Sequence, residues 1–295
     1  MIIKIKQRCD QLKFLYFEDF DGSTVFTVVS SGSYEKTPLF AAVEKENLEI
    51  IKLLLNTDDI DVNVINDEND NIWGGNMIMF CELTKKKTVL YVTIEKENIE
   101  IIKLLLANKN IDVNIPNMED ACTGGGDEKV WKRTALYNAI SKNNNEIAKL
   151  LLQNDKIDVN IPCKEWADWA GGGVRGEGTI LKSPLYLSIS KMNDEICKIL
   201  LGYENLNVNF INGNFINVDE NDNTINDDNY DIEDNDEIHF FWKATALHSL
   251  VYKGSIELIG LLMNHKDVDV NIKSNRGRTP IQCTNDPDII KLITK

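Results

Sequence analysis

One motif is written five times along this chain. TPLFAAVEKENLEIIKLLLNTDDIDVN begins at Thr37, TVLYVTIEKENIEIIKLLLANKNIDVN at Thr88 and TALYNAISKNNNEIAKLLLQNDKIDVN at Thr134. SPLYLSISKMNDEICKILLGYENLNVN follows from Ser183 and TALHSLVYKGSIELIGLLMNHKDVDVN from Thr245. A shortened copy, TPIQCTNDPDIIKLITK from Thr279, closes the 295 residues. Ile50, Leu53 and Leu54 and their equivalents recur at i, i+3 and i+4, the spacing of a helix with one apolar stripe. A unit of two short helices cannot bury that stripe alone, so the copies must stack into a solenoid.

The residues between the stripes punctuate the helices. Thr37, Thr88, Thr134, Ser183, Thr245 and Thr279 stand where an N-cap side chain satisfies first-turn N–H groups. Pro38, Pro184 and Pro280 follow at the first helical position, where the missing N–H costs nothing. Asn47, Asn98, Asn144, Asn193 and Ser255 open the second helix of each copy. Glu49, Glu100, Glu146, Glu195 and Glu257 then fall in its first turn, favourable to the helix dipole.

The copies resemble ankyrin repeats, whose signature is T-P-L-H-x-A with a period of ~33 residues. The last junction carries the resemblance best: Asn271 to Ile281 reads NIKSNRGRTPI, close to the family's N-A-x-D-x-x-G-x-T-P-L. The likeness covers roughly Thr37 to Lys295. The family His is replaced by Phe40, Tyr91, Tyr137 and Tyr186 and kept only as His248. The family Gly between helices is replaced by Glu46, Glu97, Asn143 and Met192 and kept only as Gly254. These departures change local packing and leave the fold class intact. The resemblance implies an all-α ankyrin-repeat solenoid of about six helix-turn-helix repeats, with extended β-hairpin insertions and a concave recognition surface.

Individuality lies between each D-V-N and the next T-x-L, where the family places its β-hairpin finger. The last such segment, 272–278, has seven residues; the others, 64–87, 115–133, 161–182 and 210–244, have 24, 19, 22 and 35. Insertions that leave the flanking repeats intact map to loops on one face, often the binding face. All five tryptophans fall there: Trp73, Trp131, Trp166, Trp169 and Trp242. Glycine runs (74–75, 124–126, 171–173) separate β-prone segments, so each finger reads as a hairpin with a glycine-rich tip. The tryptophans, with Phe240 and Phe241, either contact a partner or pack finger against finger. Within the first helices, periodicity predicts exposed pairs that differ between copies: Ala41/Glu44, Val92/Glu95, Asn138/Ser141, Leu187/Ser190 and Ser249/Tyr252. In the family such positions line the groove beside the fingers, which adds Leu187 and Tyr252 to the candidate contacts.

Charge narrows the partners. The chain carries a net −15, against nucleic-acid binding. Ten acidic residues and no basic one lie between Asp219 and Glu237. That run is either a solvated loop or a hook for a basic patch on a protein partner. Its start mimics a calcium loop, but Thr224 and Tyr230 replace the required Gly and Glu. Basic residues gather at the finger bases, at Lys85-Lys86-Lys87, Lys132-Arg133, Lys182, Lys243, Arg276 and Arg278. The six cysteines contain no C-x-x-C and read as reduced thiols.

No stretch is long and apolar enough to span a membrane, the start makes a poor signal peptide, and no Asn begins an N-x-[ST] sequon. An intracellular, cytoplasmic protein without membrane insertion is expected, with a nuclear location left open. His239, His248 and His265 belong to no nucleophile motif, and there is no P-loop, so neither catalysis, cofactor nor metal is expected.

Residues 1–36 are expected to form an N-terminal cap and hairpin, with a short helix at Cys9–Phe17 and a turn at Ser31-Gly32. Residues 37–295 form the repeat domain, closed by a truncated cap repeat at 279–295. The expected function is non-catalytic protein binding through the concave face and fingers. The alternative is a subunit of a larger assembly, or a self-associating protein, with the tryptophan-rich fingers as permanent contacts.

Overall fold

A computed structural model describes residues 16–18, 24–27, 37–57, 60–72, 81–122, 128–171, 174–213, 215–216, 243–274 and 277–294. The chain divides into two compact units, Met1–Asp112 and Val113–Lys295.

The first unit begins with strands β1 (Tyr16–Glu18) and β2 (Thr24–Thr27), paired antiparallel. Tyr16 and Phe17 thus lie in a strand rather than in the short helix expected there, and the strand partner precedes the Ser31-Gly32 turn. Helices α1 (Pro38–Glu44) and α2 (Leu48–Leu55) form one repeat; α3 (Val89–Glu95) and α4 (Ile99–Leu106) form the next. Strands β3 (Ile65–Ile72) and β4 (Cys81–Thr88) make the hairpin between them, in unbroken register from Ile65↔Thr88 to Ile72↔Cys81.

The second unit contains hairpin β5 (Asn117–Cys122) and β6 (Glu128–Arg133), then helices α5 (Ala135–Ser141) and α6 (Asn145–Leu152). Hairpin β7 (Cys163–Gly171) and β8 (Val174–Lys182) follows, with helices α7 (Pro184–Ser190) and α8 (Asp194–Leu201). Strand β9 (Phe215–Ile216), helices α9 (Ala246–Lys253) and α10 (Ile256–Leu262), a 3-10 turn (Pro280–Cys283) and α11 (Pro287–Ile293) complete it. The strands pair in the order β5-β6-β7-β8-β9, joined between hairpins by Lys132↔Lys164 and by Thr179↔Ile216 and Ile180↔Phe215.

The caps act as their sequence suggests. Thr37, Thr88, Thr134 and Ser183 accept from the backbone N–H three residues on. Asn47, Asn98, Asn144 and Asn193 do the same for the second helices, whereas Ser255 makes no side-chain cap bond. The apolar stripes form the cores. In the first unit Phe40, Ile51, Ile94 and Ile101 are fully buried, and in the second Ile140, Ile147, Leu200, Leu250 and Ile259 are.

Two side-chain ladders tie neighbouring repeats together inside each unit. In each described pair, the asparagine ending D-V-N (N-V-N at Asn209) grips the turn of the following copy with both ends of its amide. Asn63 donates to the Asn110 carbonyl at 2.7 Å and accepts the Asp112 N–H at 2.8 Å. Asn114 bridges to Lys156 and Asp158 in the same way, and Asn209 to Asp267 and Asp269. The second ladder joins the second helices, from the lysine of one copy to the first-turn glutamate of the next: Lys52 to Glu100, Lys149 to Glu195 and Lys198 to Glu257.

Candidate functional site

The base of each finger is anchored to the helices. In the first unit the buried Asn66 accepts the Thr37 N–H at 2.9 Å. In the second, the buried Asn212 accepts from both the Ser183 N–H, at 2.8 Å, and the Ser183 hydroxyl, at 3.0 Å. Cys163 and Ile180, also buried, root β7 and β8. At the last junction His248 closes the same corner: Nδ1 accepts from Thr245, and Nε2–H donates to the Arg278 carbonyl at 3.0 Å. That carbonyl can only accept, which fixes the tautomer. Burial pulls the His248 pKa below its ordinary 6.5, partly offset by the Arg278 bond, so the ring is neutral. Arg278 also accepts the Ser274 N–H at 2.9 Å, and Gly277 takes a positive φ of 68°, closing the short finger tightly.

Strand register sorts the candidate tryptophans. Trp131 stands opposite Glu119 in the β5–β6 hairpin and is half-buried. Trp166 stands opposite Thr179 and Trp169 opposite Gly176 in the β7–β8 hairpin. Residues an odd number apart in one strand occupy opposite faces, so Lys164 and Cys163 lie on opposite faces of β7. The Lys132↔Lys164 pairing puts Trp131 on the Cys163 face. Trp73, Trp242, Phe240, Phe241 and the acidic run from Asp219 to Glu237 lie outside the described residues.

The helix positions need one correction. Four residues after the cap, where periodicity predicts exposure, Leu187 is buried at 5% exposure, and Val92, Asn138 and Ser249 are buried too. Neighbouring first helices pack closely along this line, α5 on α7 and α7 on α9. The second member of each pair stays accessible, led by Tyr252, 47% exposed on α9. Leu187 thus belongs to the core, and Tyr252 to the surface. The buried Asn138 Nδ2 and Ser249 Oγ find no hydrogen-bond partner among the described residues.

The remaining chemistry is structural. Burial pushes the Tyr186 hydroxyl up to about 12 and the Cys197 thiol up to about 11, where Cys197 touches the Ser188 hydroxyl at 3.0 Å. His265 donates to the Leu201 carbonyl of the preceding repeat, and Tyr203 to that of Leu152. Among the described residues no group of three or more His, Cys, Asp or Glu side chains is gathered to hold a metal ion. Likewise, no described helix is long and apolar enough to cross a membrane.

A family model described as ankyrin repeats (3 copies) matches residues 4–117, 72–163 and 125–212. Among solved structures, EF0377, an ankyrin-repeat protein, is 18% identical with a TM-score of 0.47, covering 89% of this chain and 99% of its own. The ankyrin-repeat domain of Bcl-3, titled a unique member of the IkappaB protein family, is 16% identical with a TM-score of 0.39, covering 89% of this chain and 100% of its own. No curated protein matches the chain.

Proposed function

Because this chain belongs to the ankyrin-repeat family, whose members are in general protein-interaction modules, we propose that it is a non-catalytic module that binds a protein partner. The fingers are the principal contact in this reading, and the accessible row of the first helices, led by Tyr252, is the second. One observation carries it. In the second unit, successive repeats are tied by asparagine amides in the turns and by lysine–glutamate pairs on the second helices. The asparagine ties stop at the foot of each finger and the ion pairs lie on the second helices. Yet the β7–β8 hairpin runs through nine register pairs, from Cys163↔Lys182 to Gly171↔Val174, far beyond its buried root. That added length lies beyond these ties, and hairpins of fixed register are suitable rigid elements from which Trp131 in β5–β6 and Trp166 and Trp169 in β7–β8 meet a partner. The thiols of Cys197 and Cys283, joined in no disulfide, fit action inside the cell.

The test compares the intact chain with a variant whose four long fingers are cut to the length of 272–278. Loss of bound partners from a source-cell lysate, with the helical circular dichroism signal retained, supports the reading. Partners unchanged on trimming would move recognition to the helical row and sink the finger assignment.

A further inference from the structure

We propose that the face of the finger sheet bearing Lys132 and Lys164 docks an acidic peptide segment of the protein partner. The inference rests on the binding role above and names the chemistry recognised. Lys132 and Lys164 are directly opposed across the seam between β6 and β7, the register pair that joins these two fingers. Like charges directly opposite one another destabilise a sheet, so this seam is built against itself unless an anion lies over it. The row continues to Met118, opposite Lys132 on β5, and to Leu181, opposite Lys164 on β8. Two cations are therefore flanked by apolar residues, with no acid in the row. Lys132 is exposed and the other three are half-exposed, whereas Cys163, on the opposite face, is fully buried. The row thus lies on the outer side of the finger roots. A basic patch on a chain of net charge −15 is a local reversal of sign. It steers an acidic segment to this place and repels it elsewhere. The apolar flanks favour a peptide over a bare anion.

The experiment uses the full chain and a fluorescent oligoglutamate peptide, with oligolysine of equal length as control, in anisotropy titrations at low salt. Lys164→Glu replaces the repulsive pair by an attractive one, so it leaves the melting temperature unchanged or raised. It is expected to weaken oligoglutamate binding by about tenfold or more. Lys266→Glu makes the same charge change on an exposed turn and is expected to leave binding within about twofold. The proposal is overturned if the intact chain binds oligoglutamate no better than oligolysine, if Lys164→Glu binds as tightly as the parent, or if Lys266→Glu weakens binding equally. None of these results touches the finger-trimming comparison, so the peptide assignment can fail while the finger assignment stands.

Discussion

Asn160 holds the following repeat by both ends of its side chain: Oδ1 accepts the Asn207 N–H at 2.7 Å and Nδ2 donates to the Asn205 carbonyl at 2.9 Å. Its own N–H is held by the Asp158 carboxylate at 2.9 Å, which pre-sets the turn. Two bonds to fixed backbone groups contribute roughly 1–2 kcal/mol net. Asn160→Ala is expected to lower stability by about that much, read from the shift of a urea midpoint. Asn160→Asp keeps the acceptor and loses the donor, so it should fall between the two. A midpoint unmoved by Asn160→Ala would show that the ladder does not stabilise the stack.

Four non-glycine residues occupy the left-handed hinge between helices: Glu46, Glu97, Asn143 and Met192, with φ between 53° and 57°. Gly254 holds the same place with φ 68°. A side chain in this region costs roughly 1–2 kcal/mol, so Met192→Gly should stabilise the protein by about 1 kcal/mol, although glycine gives back part of that in unfolded-state entropy. The reverse change, Gly254→Ala, should cost a similar amount. A Cβ built on Gly254 meets nothing within 4 Å, so the cost is one of backbone conformation alone. Paired thermal melts decide it, and equal melting temperatures for Met192→Gly and the parent would refute the strain.

The neutral His248 links stability to pH. Its folded pKa lies below the ordinary 6.5, so the unfolded chain binds more protons in the window between the two values. Stability from this site is complete above 6.5 and is lost as pH falls through the folded value. Protonation would also set an Nδ1–H against the Thr245 N–H that Nδ1 now accepts. Melts across this window should show a fall that His248→Gln flattens. A second loss belongs to lower pH. Glu46 is held below the usual carboxylate range by Asn98 and Lys96, and Glu195 by Lys149 and Asn145, so these ties fail only as pH drops through 4.5 and below. An unchanged slope in His248→Gln would show that the site does not report pH.

The repeat, its caps and its buried stripes are legible in the sequence because each rests on local chemistry: an oxygen at a cap, a proline after it, a stripe at helical spacing. The hairpins are legible as well, since glycine runs interrupt β-prone segments. The asparagine ladder rests on the last residue of D-V-N, or N-V-N at Asn209, but carries no local signal, because its partners lie 42 to 60 residues away. The lysine of I-I-K-L-L-L recurs in four of the five copies, with Gly260 in the fifth, and its glutamate is explained locally by the helix dipole, which hides the second role. Leu187 shows the limit of periodicity. Helical spacing separates one face from another, but burial at that position depends on how closely the neighbouring first helices approach. The seam at Lys132 and Lys164 is not readable from the sequence, because it depends on inter-finger register.

Tyr252 and Leu187 separate surface from scaffold in one experiment. Leu187 is buried at 5% exposure, and Leu187→Ala should cost about 2–4 kcal/mol by opening a cavity between first helices. Tyr252 is 47% exposed, so Tyr252→Ala should change stability by less than about 1 kcal/mol. If the row led by Tyr252 meets the partner, the same change removes a large aromatic anchor and should weaken binding by about 2 kcal/mol, near thirtyfold in Kd. Calorimetric melts and titrations with the captured partner give both numbers for both variants. Tyr252→Ala with partner affinity intact would confine recognition to the fingers. A loss that accompanies only Leu187→Ala, in step with its lowered melting temperature, would reflect folding and assign nothing to the helical row.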